Sequence, residues 1–256
     1  MLNKMRAKML DGKKVIGLMF ESGNTTIAEC CALAGLDYII IDTEHGPFEA
    51  ETVMELCCTC ARRGMTPLVR VKEISRPAIL KMLDVGAMGL IIPCVKTVEE
   101  IKKIISYGKY FPKGDRGVAF ARGNGFGYAE PKPLTEYFED CNRETMLIPQ
   151  CETKECLEQI ETIVKIDGVD GIFVGPYDLS TALGKPGQFG DPEVVAAIAR
   201  VLKACKEAKK PAFIYADTAE AAHKHYENGF DSVCCCLDTV WLVRAVQQMM
   251  KDALPK

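Results

Sequence analysis

With 256 residues, 48% of them hydrophobic, the chain can bury a core sized for one large α/β domain or two small ones. A formal charge of −3, a pI near 5.8 and no dominant Lys/Arg cluster exclude an electrostatic surface for nucleic acid. No apolar run approaches the roughly 18 residues of a membrane span, and no long apolar region follows the basic N-terminal stretch as in a signal peptide, so a soluble cytoplasmic protein is expected.

In chain order, short apolar runs alternate with amphipathic stretches. Strands are predicted at 15–20, 38–41, 67–71 and 90–95, each followed by a helix, at 25–34, 50–63, 76–85 and 98–107; Gly35 and Gly64 stop the first two helices. A Gly-rich loop at 111–133, containing GDRGVAFARGNGFG, precedes a helix at 134–142. The remaining strands are predicted at 147–151, 171–174, 212–216 and 232–237, and the helices at 154–166, 192–209, 219–228 and 240–254. Eight strand–helix units with continuously apolar strands predict a (β/α)8 TIM barrel forming a single domain over 1–256. The runner-up, a doubly wound open sheet, lacks a G-x-G-x-x-G after its first strand. Most of the thirteen cysteines sit inside apolar segments (Cys30-Cys31, Cys57-Cys58, Cys60, Cys234-Cys235-Cys236) without paired zinc spacing. They read as small buried hydrophobes in a reducing cytosol, with an iron–sulfur or redox role as the alternative.

The active site of such a barrel lies at the C-terminal ends of its strands. Polar residues stand there in Asp42-Thr43-Glu44-His45, in Arg70, in Gln150-Cys151-Glu152, in Gly175-Pro176-Tyr177-Asp178, and at Asp217 and Asp238. His45 is one of three histidines; His223 and His225 lie in a polar helical segment. A buried charge must be paired or coordinated. Glu152 and Asp178 end adjacent strands, where two carboxylates with waters and a chelating substrate suit Mg²⁺ or Mn²⁺. On these residues alone the alternative, carboxylates that merely cap helices, stays open.

The segments I-D-T-E-H-G-P, V-R-V, L-D-V-G-A, I-P-x-V, R-G-V, Q-x-E-T and G-I-F-V-G-P-Y-D-L-S, in this order, resemble the HpcH/HpaI family of class II pyruvate aldolases over nearly the whole chain. The resemblance implies a barrel of the phosphoenolpyruvate/pyruvate type, a hexamer with exchanged C-terminal helices, and cleavage of a 4-hydroxy-2-oxo acid to pyruvate and an aldehyde. The substrate would be like 4-hydroxy-2-oxoheptanedioate or a 2-keto-3-deoxy sugar acid, and the aldehyde a semialdehyde or lactaldehyde. It implies a divalent cation, Mg²⁺ or Mn²⁺ with Co²⁺ or Zn²⁺ as alternatives, held by Glu152 and Asp178. Arg70 and Gln150 would contact the pyruvyl part, and His45 would act as the acid/base. The turn Gly175-Pro176-Tyr177-Asp178 would offer the N–H groups of Tyr177 and Asp178 to the carboxylate, since Pro176 has none. Asp42 and Asp84 would support or orient the histidine, Asp84 either within its own subunit or across a subunit boundary.

Some positions depart from the family pattern: Thr43 where Gly is common, Cys234-Cys235-Cys236 where Val and Gly are usual, and the 116–127 loop. These departures are expected to border the aldehyde pocket, and Glu44 to point away from the mouth or cap the next helix. A Schiff-base mechanism lacks a lysine inside any strand, with Lys72 the nearest; a citramalyl-thioester lyase, a decarboxylase and a catalytically silent barrel are further rivals. The last helix carries apolar residues from Val240 to Leu254 over more than one narrow stripe, which predicts that it docks on a neighbouring subunit.

Overall fold

A computed structural model describes residues 2–129 and 131–255. The strands are β1 (Val15–Phe20), β2 (Tyr38–Asp42), β3 (Thr66–Arg70), β4 (Gly89–Ile92), β5 (Met146–Cys151), β6 (Ile172–Val174), β7 (Ala212–Ala216) and β8 (Ser232–Leu237). All pair in parallel in sequence order, and β8 closes on β1 to make the eight-stranded barrel. The helices are α1 (Lys4–Leu10), α2 (Thr25–Leu33), α3 (Ala50–Arg63), α4 (Arg76–Asp84), α5 (Val98–Gly108), α6 (Leu134–Glu144), α7 (Lys154–Glu158), α8 (Ile160–Ile163), α9 (Pro176–Ala182), α10 (Pro192–Glu207), α11 (Ala219–Asn228) and α12 (Asp238–Ala253). Among the described residues no helix is long and apolar enough to cross a membrane.

Alternation along each strand sorts side chains to two cores. Ile39, Ile41, Val69 and Ile92 face the helices. Tyr38, Ile40, Leu68, Ile148, Phe173 and Phe213 fill the barrel interior. Both faces are therefore buried, which is why the strands read as unbroken apolar runs. Side-chain caps start the helices where the chain leaves the mouth: Asn24 for α2, Ser75 for α4 and Thr218 for α11, with a reciprocal Thr97–Glu100 box at α5. Gly64 and Gly229 end α3 and α11 in the left-handed conformation, φ 75° and 108°.

The structure departs from the sequence expectations in several places. Helix α1 precedes β1; Asn3 caps it and donates from its backbone N–H to the Glu144 carboxylate at 2.9 Å, while Met5 is buried in the interior cluster at the barrel floor. The predicted helix at 154–166 breaks at Gln159, where ψ is 10°, into α7 and α8. Helix α9 fills what reads as a turn after β6, and a short 3-10 segment (Arg122–Gly127) interrupts the Gly-rich loop. That loop follows α5 back to the N-terminal face of the barrel and packs against the end of α4, where Arg116 meets Asp84 at 2.9 Å.

Candidate active site

The register places Asp42 beside Arg70 at the tops of β2 and β3. Asp42 is fully buried, and Arg70 donates to both of its oxygens, Nε to Oδ1 at 2.9 Å and Nη2 to Oδ2 at 2.5 Å. Such a bidentate pair fixes the guanidinium plane as well as its charge. Burial pulls the Arg70 pKa down, but the Asp42 and Glu44 carboxylates outweigh it and hold it above its ordinary value. Asp42 Oδ1 also accepts the backbone N–H of Glu44 at 3.0 Å and of His45 at 3.5 Å. This side-chain turn bends the chain at the strand end and leaves the imidazole exposed over the mouth. Gly46 is required next, because a Cβ there would collide with the Asp42 carbonyl.

Across the barrel, Glu152 is 5% exposed. Its Oε1 accepts the Cys94 N–H at 2.6 Å, from a residue held at φ 55°, and its Oε2 accepts the Gln150 amide. Burial raises the Glu152 pKa; the Cys94 N–H opposes the rise and the Asp178 charge adds to it. Among the described residues Glu152 has no ion-pair partner, and the exposed Asp178 carboxylate has neither a hydrogen-bond nor an ion-pair partner. The Gln150 Oε1 atom is buried without a partner. Gly175 lies so close that an added Cβ would stand 2.8 Å from both Gln150 Nε2 and Glu152 Oε2.

His45, Arg70, Gln150, Gly175, Tyr177 and Asp178 line one cavity of about 270 Å³ at the C-terminal mouth, and Glu152 and Asp42 lie directly behind them. Asp84 is not brought there: it ends α4 on the opposite face of its own barrel, paired with Arg116. Glu44 does not point away as expected. Its Oε2 lies 3.2 Å from Arg70 Nη1 and 3.9 Å from His45 Nε2. The start of α3 is flanked by Glu49 instead, which makes no side-chain cap.

The departures expected to border the aldehyde pocket do not line this cavity. The Thr43 hydroxyl donates to the Arg70 carbonyl at 2.6 Å. Cys234 is fully buried in the interior cluster, and the 116–127 loop lies on the far face. The remaining wall is made by Met19, Glu21, Phe173, Pro176, Tyr215 and Leu237. Glu21 follows β1 as His45 follows β2, so applying the strand-end rule to the first strand identifies it.

A model of the HpcH/HpaI aldolase/citrate lyase family matches residues 16–239, from β1 to the start of α12. The chain belongs to this family. Within the HpcH/HpaI family it is 34% identical over 249 residues to a pyruvate aldolase of Rhizobium etli, covering 97% of this chain and 96% of the relative. It is 32% identical over 250 residues to a 2-keto-3-deoxy-L-rhamnonate aldolase of Klebsiella pneumoniae, covering 97% and 92%. A solved HpcH/HpaI aldolase/citrate lyase family protein from Burkholderia cenocepacia superposes with a TM-score of 0.90 at 31% identity, covering 98% of both chains. The (β/α)8 barrel is thus the family fold.

Proposed function

We propose that this HpcH/HpaI chain is a divalent-metal-dependent aldolase that reversibly cleaves a 4-hydroxy-2-oxo acid to pyruvate and an aldehyde. The observation that carries this reading is the buried Glu152 carboxylate, without a balancing cation, beside a free Asp178 and an unsatisfied Gln150 oxygen. Oxygen donors of this kind fit a hard divalent cation, Mg²⁺ or Mn²⁺, more readily than Zn²⁺ or Co²⁺. Among the described residues no cluster of three or more His, Cys, Asp or Glu side chains is arranged to hold a metal. Glu152 and Asp178 would therefore hold the ion with water and substrate oxygens completing its shell. When bound, the cation supplies Lewis-acid stabilisation to the charge that develops on the 2-oxo acid.

Arg70, locked by Asp42, presents a fixed cation to the same mouth, so its field needs no reorganisation as charge develops. Gln150 faces the pyruvyl part, and the first turn of α9 has N–H groups without intrahelical acceptors at Tyr177 and Asp178, available to its carboxylate. His45 removes the proton of the 4-hydroxyl group as the carbon–carbon bond breaks and returns a proton to the methyl carbon of pyruvate. Glu44, 3.9 Å from Nε2, stabilises the imidazolium in between. Asp84 would support a histidine only across a subunit boundary, in a hexamer that exchanges α12; the poor packing of α12 on its own barrel supports such an exchange. Thirteen free cysteines support a reducing compartment, the cytoplasm.

The test is pyruvate release from a 4-hydroxy-2-oxo acid with and without EDTA. Activity should vanish on chelation and return with Mg²⁺ or Mn²⁺, and Glu152→Ala should abolish the response to metal. Chelator-resistant cleavage, or covalent trapping of substrate by borohydride, would overturn the metal-dependent reading.

A further inference from the structure

We propose that Glu21 selects the acceptor, turning away aldehydes that carry a carboxylate tail and admitting neutral, hydroxylated ones. This rests on the aldolase reading above and extends it to the substrate class.

The topology says where the tail must go. In a closed barrel ordered β1 to β8, β1 stands across the mouth from β5. The pyruvyl end belongs to Gln150 of β5, Glu152 just after it and Asp178 after β6, and the 4-hydroxyl group to His45 after β2. Substituents beyond the fourth carbon therefore run past His45 toward β1 and β8. The cavity there is walled by Glu21, Met19, Tyr215 and Leu237.

Every other acidic group near this end is already engaged. Asp42 is held by Arg70. The Asp238 carboxylate accepts the backbone N–H groups of Glu21 at 2.9 Å and Ser22 at 3.1 Å, which fixes the turn that carries Glu21. Asp217 accepts the Tyr177 hydroxyl at 2.8 Å. Among the described residues the Glu21 carboxylate has no hydrogen-bond or ion-pair partner, and Asp178, the other unpartnered carboxylate of the cavity, stands at the pyruvyl end. No lysine lines the cavity, and its one arginine, Arg70, is committed to Asp42 and Glu44. Burial, then the charges of Asp42 and Asp238, push the Glu21 carboxyl above its ordinary range, with Arg70 and His45 opposing the rise; an ionised tail placed against it would be a second carboxylate in a pocket with no lysine and no uncommitted arginine. A hydroxyl group, by contrast, offers the donor that this carboxylate lacks.

The experiment compares condensation of pyruvate with succinic semialdehyde and with glyceraldehyde, in the Mn²⁺-loaded full chain and in Glu21→Gln and Glu21→Lys. The ratio of the two kcat/KM values cancels any general loss in a variant. The wild type should favour glyceraldehyde. Glu21→Gln should move the ratio toward the semialdehyde at least tenfold, ~1.4 kcal/mol, and Glu21→Lys further. A wild-type preference for the semialdehyde, or a shift below threefold in both variants, overturns the inference. Exchange of the pyruvate methyl protons in D₂O needs no acceptor and reports the aldolase reading separately. Exchange with an unmoved ratio sinks the assignment of Glu21 alone; absence of both exchange and condensation overturns the aldolase reading and this inference with it.

Discussion

Asp42 uses one carboxylate for two purposes: it orients Arg70 through both oxygens and turns the chain so that His45 overhangs the mouth. An ammonium group cannot reproduce that planar fork. Arg70→Lys should therefore lower kcat/KM at least tenfold, ~1.4 kcal/mol of barrier, while far-UV circular dichroism stays native; a smaller loss in steady-state assays would make Arg70 a structural residue. His45→Ala should reduce the rate constant for cleavage far more than it weakens pyruvate binding, because a proton acceptor acts in the transition state. Measuring pyruvate affinity by calorimetry beside single-turnover cleavage separates the two, and a collapse of affinity with an intact rate would move the base elsewhere. The placement of Arg70, Glu152 and Asp178 at the mouth was legible because charge at the end of an apolar strand demands a partner or a purpose, whereas the neutral Gln150 was singled out only by the family resemblance. Glu44 was not legible, since its direction is fixed by contact with Arg70 on the neighbouring strand, far away in sequence. Glu21 announces itself only once the first strand is read by the same strand-end rule as the others.

Elements bounded by local chemistry were the easiest to read. Helix α3 stops at Gly64, and β7 and β8 were predicted with the bounds observed. What eluded the sequence lacks periodicity: α1 buries one side chain, α7 and α8 are too short to show a repeat, and α9 has seven residues. Strand β8 hides a further feature in its cysteine run. Pairing with β1 passes from Gly17–Cys234 to Met19–Leu237, so β8 carries one extra residue, and Cys236 takes φ 67°. A bulge with a left-handed residue is where glycine serves best, so Cys236 holds a backbone conformation that side chains rarely adopt. Beyond the bulge, Leu237 reaches the cavity and Asp238 reaches the β1 turn. Asp238→Ala would strip two backbone N–H groups of their acceptor. It should destabilise the fold by about 2 kcal/mol, seen as a lower urea midpoint at unchanged slope; an unchanged midpoint would show that water replaces the carboxylate without penalty.

At the scale of the whole molecule, α12 is hard to explain as part of a lone barrel. A 16-residue helix about 24 Å long that packs as the eighth outer helix would bury a stripe, yet Asp238 is its only buried residue. Trp241 is 37% exposed, Met249 59% and Met250 50%, with Leu242, Val243 and Leu254 also open. The opposite face of the barrel carries Phe120, Phe126 and Tyr128 exposed as well. So many large apolar side chains left open on one helix point to a contact site. Two tethers, Trp241 Nε1 donating to the Cys235 carbonyl and Arg244 donating to the Asp217 carbonyl, set the direction in which the helix leaves the barrel, so its apolar side is presented rather than loose. Exchange of α12 between copies would bury that side without altering the mouth. Truncation after Asp238 should then give dissociated or aggregated protein. Met249→Glu with Met250→Glu should shift sedimentation toward smaller species and raise the concentration needed for assembly by at least tenfold, since two charges would enter an apolar contact. Full-length protein sedimenting as a 28.2 kDa monomer at micromolar concentration would refute the exchange and leave α12 an exposed amphipathic tail.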